Sequence, residues 1–175
     1  MTQLPRIVLP GEGDSVQIGT TTHTTFKAVG GETDNRLGIF EHRMDAGAPG
    51  ASPHIHKEQL EAFYVLHGTV ELHLDGRSFP ARPGTYVNVP ENMSHGFRNP
   101  YQDQATMLII FTPAKDREEY FRGLAELYAD GNRPTEDELL DLMSRYDQYE
   151  LTVDGTVPGW GGTDRHPGAP RGPVA

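Results

Sequence analysis

This sequence predicts an all-β domain, a sandwich or barrel, followed by two C-terminal helices. Three observations lead there. From Val16 to Thr112 the chain is a series of strand-sized runs rich in β-branched and aromatic residues. Between the runs lie segments of turn chemistry: GGETDN, DAGAPGASP, DGR and RPG. Beyond Thr112 the apolar spacing changes from strand-like to helical.

The strand candidates, in chain order, are VQIGT, HTTFKAV, NRLGIFEHRM, EAFYVLHG, TVELHLDG, GTYVNVP and ATMLIIFT. TVELHLDGRSF reads as a hairpin turning at Asp75-Gly76, a pair suited to a tight two-residue turn. TMLIIF, Thr106 to Phe111, shows no alternation and predicts a strand buried on both faces. TPAKDREEYFRGLAELYADG carries Tyr120, Leu124, Leu127 and Tyr128 at helical spacing, with Gly131 as its stop. PTEDELLDLMSRYDQY opens with a T-x-x-E capping box, Thr135 to Glu138, and its apolar stripe is Leu139, Leu142, Met143 and Tyr146. Both helices are expected to pack on the outside of the β-domain, their acidic residues forming a solvated face. From about Pro158 the chain has too little apolar surface to bury, which predicts a disordered tail. The expected organisation is a β-domain over residues 1–113, a helical extension over 114–150 and a tail over 158–175.

Composition narrows the function classes. A chain of 175 residues suits one domain with tails and a sizeable core. Its formal charge of -10 gives no basic footprint for nucleic acid or an anionic membrane surface, so neither is an expected partner. The absence of cysteine excludes a disulfide framework, a thiolate metal site and a Cys nucleophile. The start, MTQLPRIVLPGEGDS, has no basic segment followed by a long apolar run, and no run approaches 18 apolar residues. A cytoplasmic enzyme or binding protein is the expectation.

The chemistry concentrates in PHIHKEQLEAFYVLHG, Pro53 to Gly68. His54 and His56 share parity, so on extended backbone both imidazoles point to one side. Glu61 follows after a short polar interval and opens a strand candidate. Two imidazoles and a carboxylate on one face suit a metal ion, although an ordinary polar turn would read similarly. By chance H-x-H-x4-E arises about 0.03 times in a chain of this composition, and about 0.003 times with Gly68 also required. A second segment, PGTYVNVPENMSHGFRN, ends a strand at Pro90 and places His95 at the head of the next apolar run. If the two strand pairs are neighbours, His95 meets the other three. Three neutral imidazoles and one carboxylate would hold a divalent ion at a net charge of about +1 with a position left open.

The two segments together resemble the cupins. The first cupin motif, G-x5-H-x-H-x3,4-E-x6-G, is matched from His54 through Glu61 to Gly68, with its leading glycine displaced: Ala48 stands there, between Gly47 and Gly50. The second, G-x5-P-x-G-x2-H-x3-N, is matched by Gly84, Pro90, His95 and Asn99. Asn92 replaces its middle glycine, and asparagine is the non-glycine residue best able to keep φ positive there. The resemblance covers roughly Leu37 to Thr112. It implies a jelly-roll β-barrel with a metal inside one mouth, held by His54, His56, Glu61 and His95.

Other histidines read differently. His67 lies at the turn before Gly68 and is expected to be exposed; His73 alternates with Val70, Leu72 and Leu74 and is expected to face outward. His42 shares parity with Phe40 and Met44, so it projects into the cavity or, on the alternative reading, lies on the surface. Phe40, His42, Met44, Phe63 and Phe97 are the candidate substrate-pocket residues, the aromatic and aliphatic ones also being ordinary core types.

Cupins include oxygenases, isomerases, lyases, transcription factors and storage proteins, so the fold alone does not decide the reaction. A single cupin domain with three His, one Glu and C-terminal helices is most similar to bacterial quercetinase-type dioxygenases. That similarity implies one divalent transition ion: Ni, Fe, Co or Mn, or else Zn. It implies an aromatic or enolic small-molecule substrate and O2, with Glu61 as the catalytic base that deprotonates the substrate hydroxyl before O2 attack. Two alternatives stand beside it: a metal-dependent isomerase, cyclase or lyase that uses no oxygen, and a non-catalytic small-molecule-binding cupin. A homodimer is expected, because an edge strand near VQIGTTTHTTF would otherwise stay unpaired.

Overall fold

A computed structural model describes residues 5–150. Two antiparallel sheets carry the fold. The first holds β1 (Ser15–Ile18), β2 (Thr22–Ala28), β3 (Gly38–Met44), β5 (Leu60–His67), β8 (Tyr86–Val89) and β10 (Ala105–Thr112) in the order β1-β2-β3-β10-β5-β8. The second holds β4 (Ala51–Ile55), β6 (Val70–Leu74), β7 (Arg77–Ala81), β9 (His95–Arg98) and β11 (Tyr149–Glu150) in the order β11-β4-β9-β6-β7. Two helices follow β10: α1 (Arg117–Leu127) and α2 (Glu136–Arg145).

The cupin resemblance implies a jelly-roll β-barrel; the described residues form two sheets that no strand pairing joins. The chain alternates between the sheets, so the inward side chains of both meet in one core while four edge strands remain. Period-2 burial places the residues. In β3, Gly38, Phe40, His42 and Met44 are buried while Glu41 and Arg43 face outward. β10 also alternates: Ala105, Met107, Ile109 and Phe111 are buried, and Thr106, Leu108 and Ile110 are only half covered. The expectation of burial on both faces thus gives way to a strand flanked by β3 and β5 with one face partly open, where Leu108 and Ile110 keep the sheet's middle apolar.

The turn residues do what their chemistry allows. Gly50 (φ +64) lies so close to β9 that a Cβ there would meet the Phe97 carbonyl oxygen; it supplies the tight approach for which the displaced motif glycine left a question. Asn92 takes φ +63, and its N–H donates to the His56 carbonyl at 2.7 Å. The capping box of α2 is complete: Glu138 N–H donates to Thr135 Oγ1 at 3.3 Å, and Thr135 N–H donates to Glu138 Oε2 at 2.8 Å. Helix α1 does more than lie outside. Phe121 is buried, with its ring 4.8 Å from Phe40 and 6.4 Å from Phe26, and Tyr120 is buried beside it. The expected tail over 158–175 lies outside the described residues.

Candidate metal centre

Strand register brings the four residues together. His54 on β4 and His95 on β9 are direct cross-strand partners, which sets their rings 4.4 Å apart. His56 lies just past the end of β4 on the same side. Glu61, near the start of β5, projects from the opposite sheet toward the three imidazoles. One ligand atom from each residue lies within 4.8 Å of the others, and all four residues are buried. Glu61 Oε2 stands 2.6 Å from His95 Nε2, 2.9 Å from His56 Nε2 and 3.8 Å from His54 Nε2.

The imidazole tautomers follow from the far side of each ring. His54 Nδ1 lies 2.7 Å from the Ser52 carbonyl, His56 Nδ1 2.5 Å from the Asp147 carbonyl and His95 Nδ1 2.8 Å from the Met93 carbonyl. A carbonyl only accepts, so each Nδ1 carries the hydrogen and each neutral ring turns an Nε2 lone pair inward. Burial, reinforced by His95, pushes His54 down to about 3, and burial is also the main cause that lowers His56. Burial acts to raise the Glu61 carboxyl; cationic imidazoles donating from Nε2 would hold it well below the usual range, and with the hydrogens on Nδ1 that role would fall to a cation among the rings. Lone pairs and a carboxylate facing one another at these distances repel unless a cation lies among them. The buried Nε2 of His54, which has no hydrogen-bond partner, marks the same need. This set fits one divalent ion, and a nitrogen-and-oxygen set without sulfur suits Fe, Co, Ni, Mn or Zn.

The cluster opens on a cavity of about 410 Å³, lined by His54, Glu61, His42, Phe97, Ile109 and Phe111 from the sheets and by Arg117, Tyr120 and Phe121 from α1. Among the candidate pocket residues, His42 and Phe97 line it. Phe40, Met44 and Phe63 do not: each is fully buried, and the Phe40 ring packs on Phe111 and Phe121. The inward face of β3 runs deeper than the cavity, so parity selects the core side without selecting the depth. His42 is buried, its Nδ1 2.9 Å from Thr24 Oγ1, and its ring meets Phe97 edge-on at 5.3 Å. Burial lowers it to about 4 against the opposing charge of Glu61. His67 is exposed, and His73 lies half-buried with Nδ1 3.3 Å from Ser78 Oγ.

Two contributors escaped sequence reasoning. Asp147 lends its carbonyl to His56, while its carboxylate accepts from Lys57 N–H at 3.1 Å and Glu58 N–H at 2.9 Å, fixing the turn between β4 and β5. Arg117 lies at the start of α1, buried among Phe111, Tyr120 and Phe121. Its signal was positional: a cation in the first turn of a helix opposes the macrodipole and needs another reason to be there.

Comparison with known proteins points the same way. The family model described as the cupin domain matches residues 40–111. Quercetin 2,3-dioxygenase of Bacillus subtilis (strain 168) is 33% identical over 112 residues, which are 63% of this chain and 32% of that protein. Polyketide synthase CurC of Streptomyces cyaneus is 37% identical over 62 residues, 35% of this chain and 40% of that protein. The chain thus spans well under half the length of either relative. KdgF from Halomonas sp. shares the fold, with a TM-score of 0.58 at 21% identity over 66% of this chain and 99% of that one.

Proposed function

The chain belongs to the cupin superfamily, and from that membership and its buried three-histidine, one-glutamate cluster we propose a metal-dependent dioxygenase acting on an aromatic or enolic small molecule of flavonol type. The observation that carries the reading is the cluster's position: it opens on an apolar, aromatic-walled cavity large enough for such a molecule. Likeness to a quercetin dioxygenase supports the substrate class. In this proposal His54, His56, Glu61 and His95 hold one divalent ion, and the substrate and O2 enter through the cavity. The helical extension, residues 114–150, completes the β-domain's cavity, and the protein works as a homodimer.

A bound divalent ion would supply Lewis acidity toward a substrate hydroxyl and redox capacity toward oxygen. The protein's own residues do the rest. Phe97, Ile109, Phe111 and Phe121 exclude water and hold the ring system. Glu61 is the carboxylate at the junction of cluster and cavity, and it takes the hydroxyl proton. A carboxylate is a weak base toward a phenolic or enolic hydroxyl, so proton transfer depends on a substrate hydroxyl that is itself acidified. A second reading, a cyclase, isomerase or lyase that uses no oxygen, draws on the likeness to polyketide synthase CurC and keeps the same base.

The test begins with metal analysis of the purified protein and continues with oxygen uptake on quercetin and related enediols. Stoichiometric metal with substrate-dependent oxygen uptake is expected. Turnover without oxygen uptake would move the assignment to the second reading. Glu61→Gln keeps an oxygen donor and loses the base, so kcat should fall by about 10²–10⁴-fold and stay low in excess metal. Wild-type turnover in metal-replete Glu61→Gln would leave Glu61 a ligand only.

A further inference from the structure

Arg117 shares the cavity with Glu61 and His42 but takes no part in the metal reading. It is 2% exposed. Its Nη1 donates to the Tyr146 carbonyl at 2.8 Å and its Nη2 to Gln148 Oε1, so both acceptors are neutral. Its Nε–H is buried and has no acceptor. The rings of Phe111 and Tyr120 flank the guanidinium at 4.6 and 4.0 Å, fixing its plane and keeping water away. Arginine cannot shed its charge; the carboxylates of Glu61 and Asp147 favour that charge, but neither accepts from Nε–H, which is left without an acceptor.

A second unmatched donor belongs to another residue of the same wall, His42. The buried Thr24 hydroxyl has His42 Nδ1 as its partner. Donating to Nδ1 leaves the fewest polar groups unmade, and it puts the His42 hydrogen on Nε2, which is buried and unpartnered. The charged side chains on the wall are Glu61, Arg117 and Glu150, and Glu150 already accepts from Ser52 Oγ at 2.9 Å. We propose that the cavity selects acidic aromatic molecules, reading an anionic oxygen, a carboxylate or an ionised phenol, through Arg117 Nε–H with His42 Nε2–H as a second donor. This rests on the cavity being the substrate site of the proposed function and adds the charge its ligand carries.

The experiment titrates the purified full chain, as isolated and after chelation, with two matched pairs: 2-naphthoate against 2-naphthamide, and 4-nitrophenolate against 4-nitroanisole. One charge-assisted hydrogen bond predicts that the anion of at least one pair binds about 10–100-fold more tightly, before and after chelation. The pair that shows the preference tells carboxylate from phenolate. Arg117→Gln should abolish the preference, and Arg117→Lys should retain part of it. Equal binding within both pairs, no binding at all, a preference that survives in Arg117→Gln, or one that vanishes on chelation would each overturn the inference. Should Arg117→Gln fail to fold, the wild-type titrations and Arg117→Lys still decide. A preference found in a protein that binds no metal would uphold Arg117 and remove the metal reading, and the opposite pair of results would do the reverse.

Discussion

His42 couples the interior to pH. A histidine in an unfolded chain titrates near 6.5, and His42 in the fold titrates near 4 because burial penalises its charged form. Above pH 6.5 both states leave it neutral and it is silent. As pH falls below 6.5 the unfolded chain takes up a proton that the folded chain refuses, so stability is lost until about pH 4. Between pH 7 and 5 this linkage removes about 2 kcal/mol. His54, lowered to about 3, acts in the same direction when no ion is bound. Urea unfolding of chelated protein at the two pH values should show the loss, and His42→Gln should lose about 2 kcal/mol less. An equal loss in both proteins would exclude His42 as the source.

Strand by strand, legibility tracked how local the cause is. The seven strand runs and the capping box at Thr135 were readable because alternation and capping act between near neighbours. β4 was not readable as a strand beyond its histidines: ASPHI sits in a Gly- and Pro-rich stretch, and its pairing comes from β9 and β11. The pairing of His54 with His95 left its trace only in the motif spacing. The clamp by Asp147 left none, because 91 residues separate it from His56. That clamp carries the element-scale prediction. Asp147→Asn keeps the positive φ of +57 tolerable but weakens the carboxylate that gathers Lys57 and Glu58 N–H. Metal affinity should fall by about tenfold, as for other groups that orient ligands, with a stability loss of about 1 kcal/mol. Isothermal titration with Co2+ measures the first and a thermal melt the second; unchanged affinity would show that the turn holds itself.

At the scale of the molecule, the two sheets formed by the described residues leave β1 and β8 as edges of one and β7 and β11 as edges of the other. Tyr64, Leu66 and Tyr86 are exposed on the β5–β8 side, and β1 offers unpaired backbone. A homodimer that covers one of these edges is the expected state, and light scattering at micromolar concentration should return twice the chain mass. A monomeric mass would rule it out. Asp147 also has a consequence in time. Every candidate ligand has been synthesised once β9 ends at Arg98, and both large sheet interfaces are complete once β10 ends at Thr112. The carbonyl that orients His56 arrives 91 residues after it. A nascent chain can therefore pair β1 to β10 while the candidate ligand set still lacks the carbonyl that orients His56, and full affinity for an ion is expected only after Asp147 has left the ribosome.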